Sequence, residues 1–164
     1  MVEMHLASVR VETTTRTPIL LLQEAGRGKR TLPIYIGAAE AQAIAQALQG
    51  VVAPRPMTHD LLREVLEELG AALECVVITE LRDRTFYAEL RLTVGERRHT
   101  VSARPSDAVA LALRASATIY ADDALLDAEG VVIEAEEAEE AADDELVSEF
   151  KAFIDAIRPE DFEG

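Results

Sequence analysis

The chain has no tryptophan, one cysteine and two lysines in 164 residues, and aromatic residues make up only 4% of it. A core without large rings has to be built from Leu, Val, Ile and Ala. Hydrophobic residues at 49% supply enough of them for one ordinary domain. A single cysteine excludes an intrachain disulfide and a cysteine-rich zinc site within the chain. Cys75 lies in the apolar run LECVVIT and reads as a buried structural thiol. No apolar run approaches the roughly 20 residues that a membrane helix needs. The N-terminal MVEMHLASVRVE alternates like a strand and has neither the charged start nor the apolar block of a signal peptide. A cytoplasmic protein with no membrane partner is therefore expected.

The net charge of −15 is unevenly distributed. From Asp122 to Gly164 there are 17 acidic residues against Lys151 and Arg158. Residues 1–121 hold 14 acids and 14 bases, 13 of them arginine. The body is neutral and arginine-rich, so the overall acidity does not exclude a nucleic-acid partner.

Periodicity predicts a single α/β domain of the α+β type, with a mixed sheet and helices over residues 1–133. EMHLASVRVE, PILLLQE and TLPIYI read as strands, followed by an alanine-rich helix between Gly37 and Gly50. VVAPRP is an extended connector, and a second helix begins with Thr58 as its cap. Its Leu61, Leu62, Val65, Leu66 and Leu69 recur at helical spacing, which predicts a core-facing stripe. LECVVITEL and TFYAELRLTV form the next strands, with Phe86, Ala88, Leu90 and Leu92 on one face. RHTVSA leads to a third helix from Ser106 to about Ala115. ATIYA, a helical turn in DDALLDAEG and VVI complete the domain. His5 and His99 alternate with apolar neighbours and are expected to point inward as packing residues. Residues 134–145 read as an acidic linker, and residues 146–164 as a C-terminal amphipathic helix and tail. That helix is expected to dock on the body or on a second subunit, which makes a homo-oligomer an expected assembly.

Phosphate-binding loops, dinucleotide fingerprints and serine nucleophile elbows are absent. Two segments stand out instead, PRPMTHDLLREVL from Pro54 and SARPSDAVALALR from Ser102. Each sets an arginine, a proline, a hydroxyl and a carboxylate where a helix begins. Helix N-termini attract anions, and Arg55 or Arg104 beside one sharpens that preference for phosphate. The alternative is that each arginine clamps a nearby aspartate, while Thr58, Ser106, Asp60 and Asp107 serve as caps and dipole partners. On the second helix Asp60, Glu64 and Glu67 share one face beside His59 and Arg63. Such carboxylates suit magnesium or manganese, with the histidine as a general base, although any amphipathic helix also needs a charged face.

LPIYIGAAEAQAIAQAL, PRPMTHDLL, VVITELRDRTFYAEL and SARPSDAVALALR, in that order, resemble the bifunctional nuclease domain family over about residues 5–133. The resemblance implies an α/β domain credited with cleaving DNA and RNA. It also singles out Glu40, Arg55, Pro56, Thr58, His59, Asp60, Phe86, Tyr87, Arg104, Pro105, Ser106 and Asp107. Many relatives resemble DARPSD, where this chain carries Ser102. The composite expectation is a nuclease with DNA and RNA as substrates. His59, Asp60, Glu64 and Asp107 would be catalytic. Asp60, Glu64 and Asp107 would hold a divalent ion, and Arg55, Thr58, Arg104 and Ser106 would bind substrate. The competing expectation is a non-catalytic module that binds an anion or a protein.

Overall fold

The computed structural model describes residues 1–26 and 29–132. The acidic linker and C-terminal helix expected over residues 134–164 lie outside the described residues. The element order is β1 (Val2–Val11), β2 (Pro18–Glu24), β3 (Arg30–Tyr35), α1 (Ala38–Leu48), α2 (Thr58–Glu68), β4 (Ala71–Arg82), β5 (Thr85–Val94), β6 (Arg97–Ala103), α3 (Pro105–Ala115), β7 (Thr118–Ala121), α4 (Asp123–Glu129) and β8 (Val131–Val132). The strands form one sheet in the order β6-β5-β4-β7-β1-β2-β3-β8.

The sheet is mixed, as the pattern of hairpins and single helices implies. β4 and β7 run parallel, with Val76 opposite Ile119. The β1–β2, β2–β3, β4–β5, β5–β6 and β1–β7 pairs are antiparallel. Antiparallel neighbours need only tight turns, whereas the parallel pair needs a longer crossover. Here β5, β6 and α3 lie between the two parallel strands in sequence. The β4–β5 hairpin turns at Asp83 and Arg84, both with positive φ (50° and 62°), matching the right-handed twist of the flanking strands.

The core is aliphatic, as the missing aromatics require. Leu20, Leu22, Leu32, Val76, Ile78 and Leu111 are fully buried. On β5, Ala88, Leu90 and Leu92 are buried and Phe86 is partly buried, the face that alternation predicts. α3 is the central helix, burying Val109 and Leu111 with Ala108, Ala110 and Ala112. Small side chains let it lie against α1, which buries Ala41, Ile44 and Ala45.

Two expectations about facing are overturned. α2 turns its leucine stripe outward: Leu61 is 53% exposed, Val65 44% and Leu69 71%, while His59 is buried. Among its apolar residues only Leu66 packs against the core cluster. Periodicity reported the amphipathic helix correctly but not which face goes in; that choice is made by polar contacts to α3. His5 and His99 are both exposed rather than inward. β6 is an edge strand, and Arg97 to Ser102 are exposed throughout, so its alternation has no second layer to point into.

Candidate active site

The expected caps are displaced by a residue or more. α2 begins with Met57 as N-cap, and Thr58 is the first helical residue. Asp60, two residues further on, accepts the Met57 backbone N–H at 3.0 Å on Oδ2. α3 begins with Arg104 as N-cap and Pro105 in the first helical position, which puts Ser106 inside the helix, 6% exposed. Proline there loses no hydrogen bond and keeps Arg104 extended. The two Arg-Pro segments are thus not equivalent: Arg104 is the cap itself, while Arg55 stands two residues outside its helix.

Glu40, Asp60 and Asp107 each occupy the third residue of a helix, α1, α2 and α3 in turn. A carboxylate there complements the helix dipole. Each of them also ties helices together. Arg104 donates from Nε to Asp107 Oδ2 (2.7 Å) and from Nη2 to Asp107 Oδ1 (3.1 Å). The same Nη2 reaches Glu40 Oε1 at 2.8 Å. His59 Nε2 lies 3.1 Å from Asp107 Oδ1. The beginnings of α1, α2 and α3 therefore converge around one carboxylate, Asp107, and one guanidinium, Arg104. Burial pushes the Asp107 carboxyl up, but hydrogen bonds from Arg104 and His59 outweigh it and hold the group below the ordinary carboxylate range.

The imidazole of His59 is largely enclosed, its side chain 11% exposed, whereas Arg104 is 66% exposed at the rim. Among the described residues His59 has no hydrogen bond at Nδ1. With Asp107 accepting from Nε2–H, Nδ1 is the nitrogen left to take a proton. Arg55 is exposed and has no ion pair among the described residues. The two arginines thus differ: Arg104 is held by two carboxylates, and Arg55 has no such partner among the described residues.

Asp60 belongs to a different contact. Its Oδ1 accepts from Arg114 Nε, and Arg114 also donates to the carbonyls of Ala110 (2.9 Å) and Ala43 (3.0 Å). Arg114 is 8% exposed and so joins α1, α2 and α3 from within. Burial raises the Asp60 carboxyl, but the Arg114 hydrogen bond, the Met57 N–H and the Arg114 and Arg63 charges outweigh it and leave it lowered. Glu64 is exposed and lies 3.9 Å from Arg63, and Glu67 lies 3.6 Å from the same side chain. Asp60, Glu64 and Asp107 therefore do not fit a divalent ion as they stand. Both Asp60 oxygens are engaged, and no group of three or more His, Cys, Asp or Glu side chains among the described residues could hold a metal. Ser102, the departure from DARPSD, is exposed on β6 opposite Glu89. Phe86 and Tyr87 lie at the start of β5, where Arg82 stacks over the Tyr87 ring at 4.4 Å.

Sequence reasoning named Glu40 without a role and gave Arg114 none at all. The available signal for Arg114 was an arginine in the last turn of an otherwise apolar, alanine-rich helix.

The bifunctional nuclease domain profile matches residues 20–134, which takes in all three helix beginnings and the dyad. The chain belongs to the bifunctional nuclease domain family. It is 47% identical to two uncharacterized proteins from Mycobacterium tuberculosis strains, covering 99% of this chain and 98% of theirs. Bifunctional nuclease 1 of Oryza sativa is 32% identical over 54% of this chain and 28% of its own length. Bifunctional nuclease 2 of Arabidopsis thaliana is 28% identical over 69% of this chain and 35% of its own. Family membership supports a nuclease-related function. Among the described residues no helix is long and apolar enough to cross a membrane.

Proposed function

We propose that this protein is a nuclease that hydrolyses phosphodiester bonds in DNA and RNA, with His59 as the general base. The observation that carries this reading is the His59–Asp107 contact at 3.1 Å, which joins the two Arg-Pro segments. Asp107 orients the ring through Nε2–H and stabilises the imidazolium once it forms. Nδ1 takes the proton from the attacking water or hydroxyl. Negative charge gathers on the phosphate as the nucleophile adds. Three helix N-termini converge there with their positive dipole ends, and Arg55, which has no ion pair among the described residues, supplies a guanidinium. Arg104 holds Asp107 from both sides of its carboxylate and presents its remaining exposed edge to the substrate. Thr58 and Ser106 line the helix starts. Asp60 and Asp107 are spent on Arg114, Arg104, His59 and a backbone N–H, so the hydrolysis draws on His59 and the arginines.

The second reading, a non-catalytic module that binds an anion or a protein, draws on the pairing of Arg104 with Asp107 and Glu40. In that case the same contacts serve only to clamp helices. Purified protein is tested on plasmid DNA and on single-stranded RNA, with magnesium, with manganese and with chelator. The nuclease reading expects cleavage by wild type and loss of most of it in His59→Ala at unchanged secondary structure. Equal trace cleavage by both proteins would sink it in favour of the binding module.

A further inference from the structure

With its leucine stripe outward, α2 turns a largely polar face inward, and the space beside that face is not filled. The seam between α2 and α3 begins at the His59–Asp107 contact. Four residues on along each helix, about 6 Å of helix rise, come Arg63 and Leu111, and four further on come Glu67 and Ala115. These four, with Leu66 and with Leu73 of β4, line a cavity of about 220 Å³. Arg63 also carries the one buried side-chain polar atom without a hydrogen-bond partner among the described residues, its Nε. Glu67 Oε1 lies 3.6 Å from that nitrogen, too far to accept from it. A buried donor left without an acceptor is costly and rare in native proteins.

We propose that this cavity is a nucleobase pocket, in which Arg63 Nε–H donates to a nitrogen or carbonyl of the base and Glu67 accepts from a neighbouring N–H. Size is the first argument. About 220 Å³ is below the roughly 300–1,000 Å³ of sites for drug-sized ligands, so one ring system fits while its sugar and phosphate stay outside. The walls are the second, because Leu66, Leu73, Leu111 and Ala115 offer apolar surface to the faces of a ring. The polar pair is the third. A base sets acceptors beside donors along its edge, and a base taken out of its stack is read by such hydrogen bonds between apolar walls. Charge excludes the main rival, a small carboxylate or phosphate. Glu64 and Glu67 stand 3.9 Å and 3.6 Å from the Arg63 side chain, so an anion meets no net positive charge there.

The pocket lies one to two turns along α2 from His59, so a base seated in it makes cleavage depend on nucleotide identity. Its assignment to a substrate strand rests on the nuclease reading, whereas its occupancy by a nucleoside does not. The full chain with labelled leucine methyl groups is titrated with adenosine, guanosine, cytidine and uridine, and with ribose 5-phosphate as control. At least one nucleoside should shift the methyl signals of Leu66, Leu73 and Leu111, and the sugar phosphate should not. Arg63→Met keeps an apolar stem and removes the donor. It should weaken that nucleoside by about tenfold or more, the worth of one hydrogen bond from a charged group. Ala115→Leu fills the cavity without touching the dyad and should abolish the shifts. Cleavage rates on four homopolymer oligonucleotides should follow the order of nucleoside affinities, and the differences should shrink in Arg63→Met. Absence of shifts with every nucleoside, equal shifts with ribose 5-phosphate, or shifts that survive both substitutions overturn the pocket, whether or not the protein cleaves. Homopolymer preferences that Arg63→Met leaves unchanged overturn its part in reading the substrate. A protein that binds a nucleoside through Arg63 and cleaves nothing keeps the pocket and loses the nuclease reading.

Discussion

His59 Nε2 and Asp107 Oδ1 stand 3.1 Å apart across 48 residues of sequence, joining the first turn of α2 to the first turn of α3. The dyad predicts two different losses. His59→Ala removes the base, and Asp107→Asn leaves the ring without its orienting carboxylate. Each should lower the cleavage rate by about 10²- to 10⁴-fold. Single-turnover rates on a defined oligonucleotide, measured beside melting curves, check this. If Asp107→Asn cleaves as fast as wild type, the carboxylate is a clamp for Arg104 and no more.

Arg55 and Arg104 should fail in distinguishable ways. Arg55 has no ion pair among the described residues, so Arg55→Ala should weaken DNA and RNA binding and reduce the steepness of its salt dependence by about one counterion-release unit. Arg104 holds Asp107 and Glu40, so Arg104→Ala should lower the cleavage rate more than it lowers affinity. Binding isotherms at several salt concentrations separate the two. Equal effects of both substitutions on the salt slope would contradict the division of labour.

The parts of this fold that were legible in the sequence are those where one local pattern has one tertiary outcome. β5 alternates and buries its Ala88, Leu90 and Leu92 face, and α3 is apolar nearly all round and becomes the central helix. α2 was legible as a helix and illegible in its orientation. The deciding contacts, Asp60 to Arg114 and His59 to Asp107, reach across 54 and 48 residues, which no window of sequence can weigh. The same distance hid the parting of Asp60 from Asp107. Both occupy the third position of a helix after an Arg-Pro pair, yet one is drawn to Arg114 and the other to Arg104. Composition signalled the arginines, but not which of them the fold would spend on carboxylates.

Arg114 carries a stability prediction of its own. Breaking a largely buried ion pair leaves an uncompensated charge, so Arg114→Ala should cost on the order of 3 kcal/mol. Removing Asp60 as well should recover part of that, because the stranded carboxylate goes with it. A double-mutant cycle from denaturant melts measures the coupling. Strict additivity would mean that Arg114 stabilises through its bonds to the Ala43 and Ala110 carbonyls alone.

Acid should unfold the protein through the same carboxylates. Asp60 and Asp107 are both held below the ordinary aspartate range in the folded chain. The unfolded chain therefore binds protons first as pH falls, and acid favours it. The stability from these groups is complete above the ordinary aspartate range and drains away as pH drops through that range towards their folded values. Asp60→Asn should make the protein less stable at neutral pH and flatten this acid limb. An unchanged limb in denaturant melts from pH 6 to pH 2.5 would mean that other carboxylates dominate it.

Gly37 supplies the most indirect prediction. It caps α1 in an extended conformation (φ −76°, ψ 156°) that alanine can also adopt, so its substitution introduces no backbone strain. A Cβ at Gly37 would, however, collide with Glu40 Oε2 and lie 3.3 Å from its Cδ. The carboxylate would have to leave, and Arg104 would lose one of the two groups that hold it. Gly37→Ala should then lower the cleavage rate while changing stability by no more than about 1 kcal/mol, the range of an N-cap exchange. The causal route can be read from epistasis. On a Glu40→Ala background the same Gly37→Ala change has no carboxylate to displace and should leave the rate where it was. An equal fall on both backgrounds would show that Gly37 acts through the backbone at the start of α1 and not through Glu40.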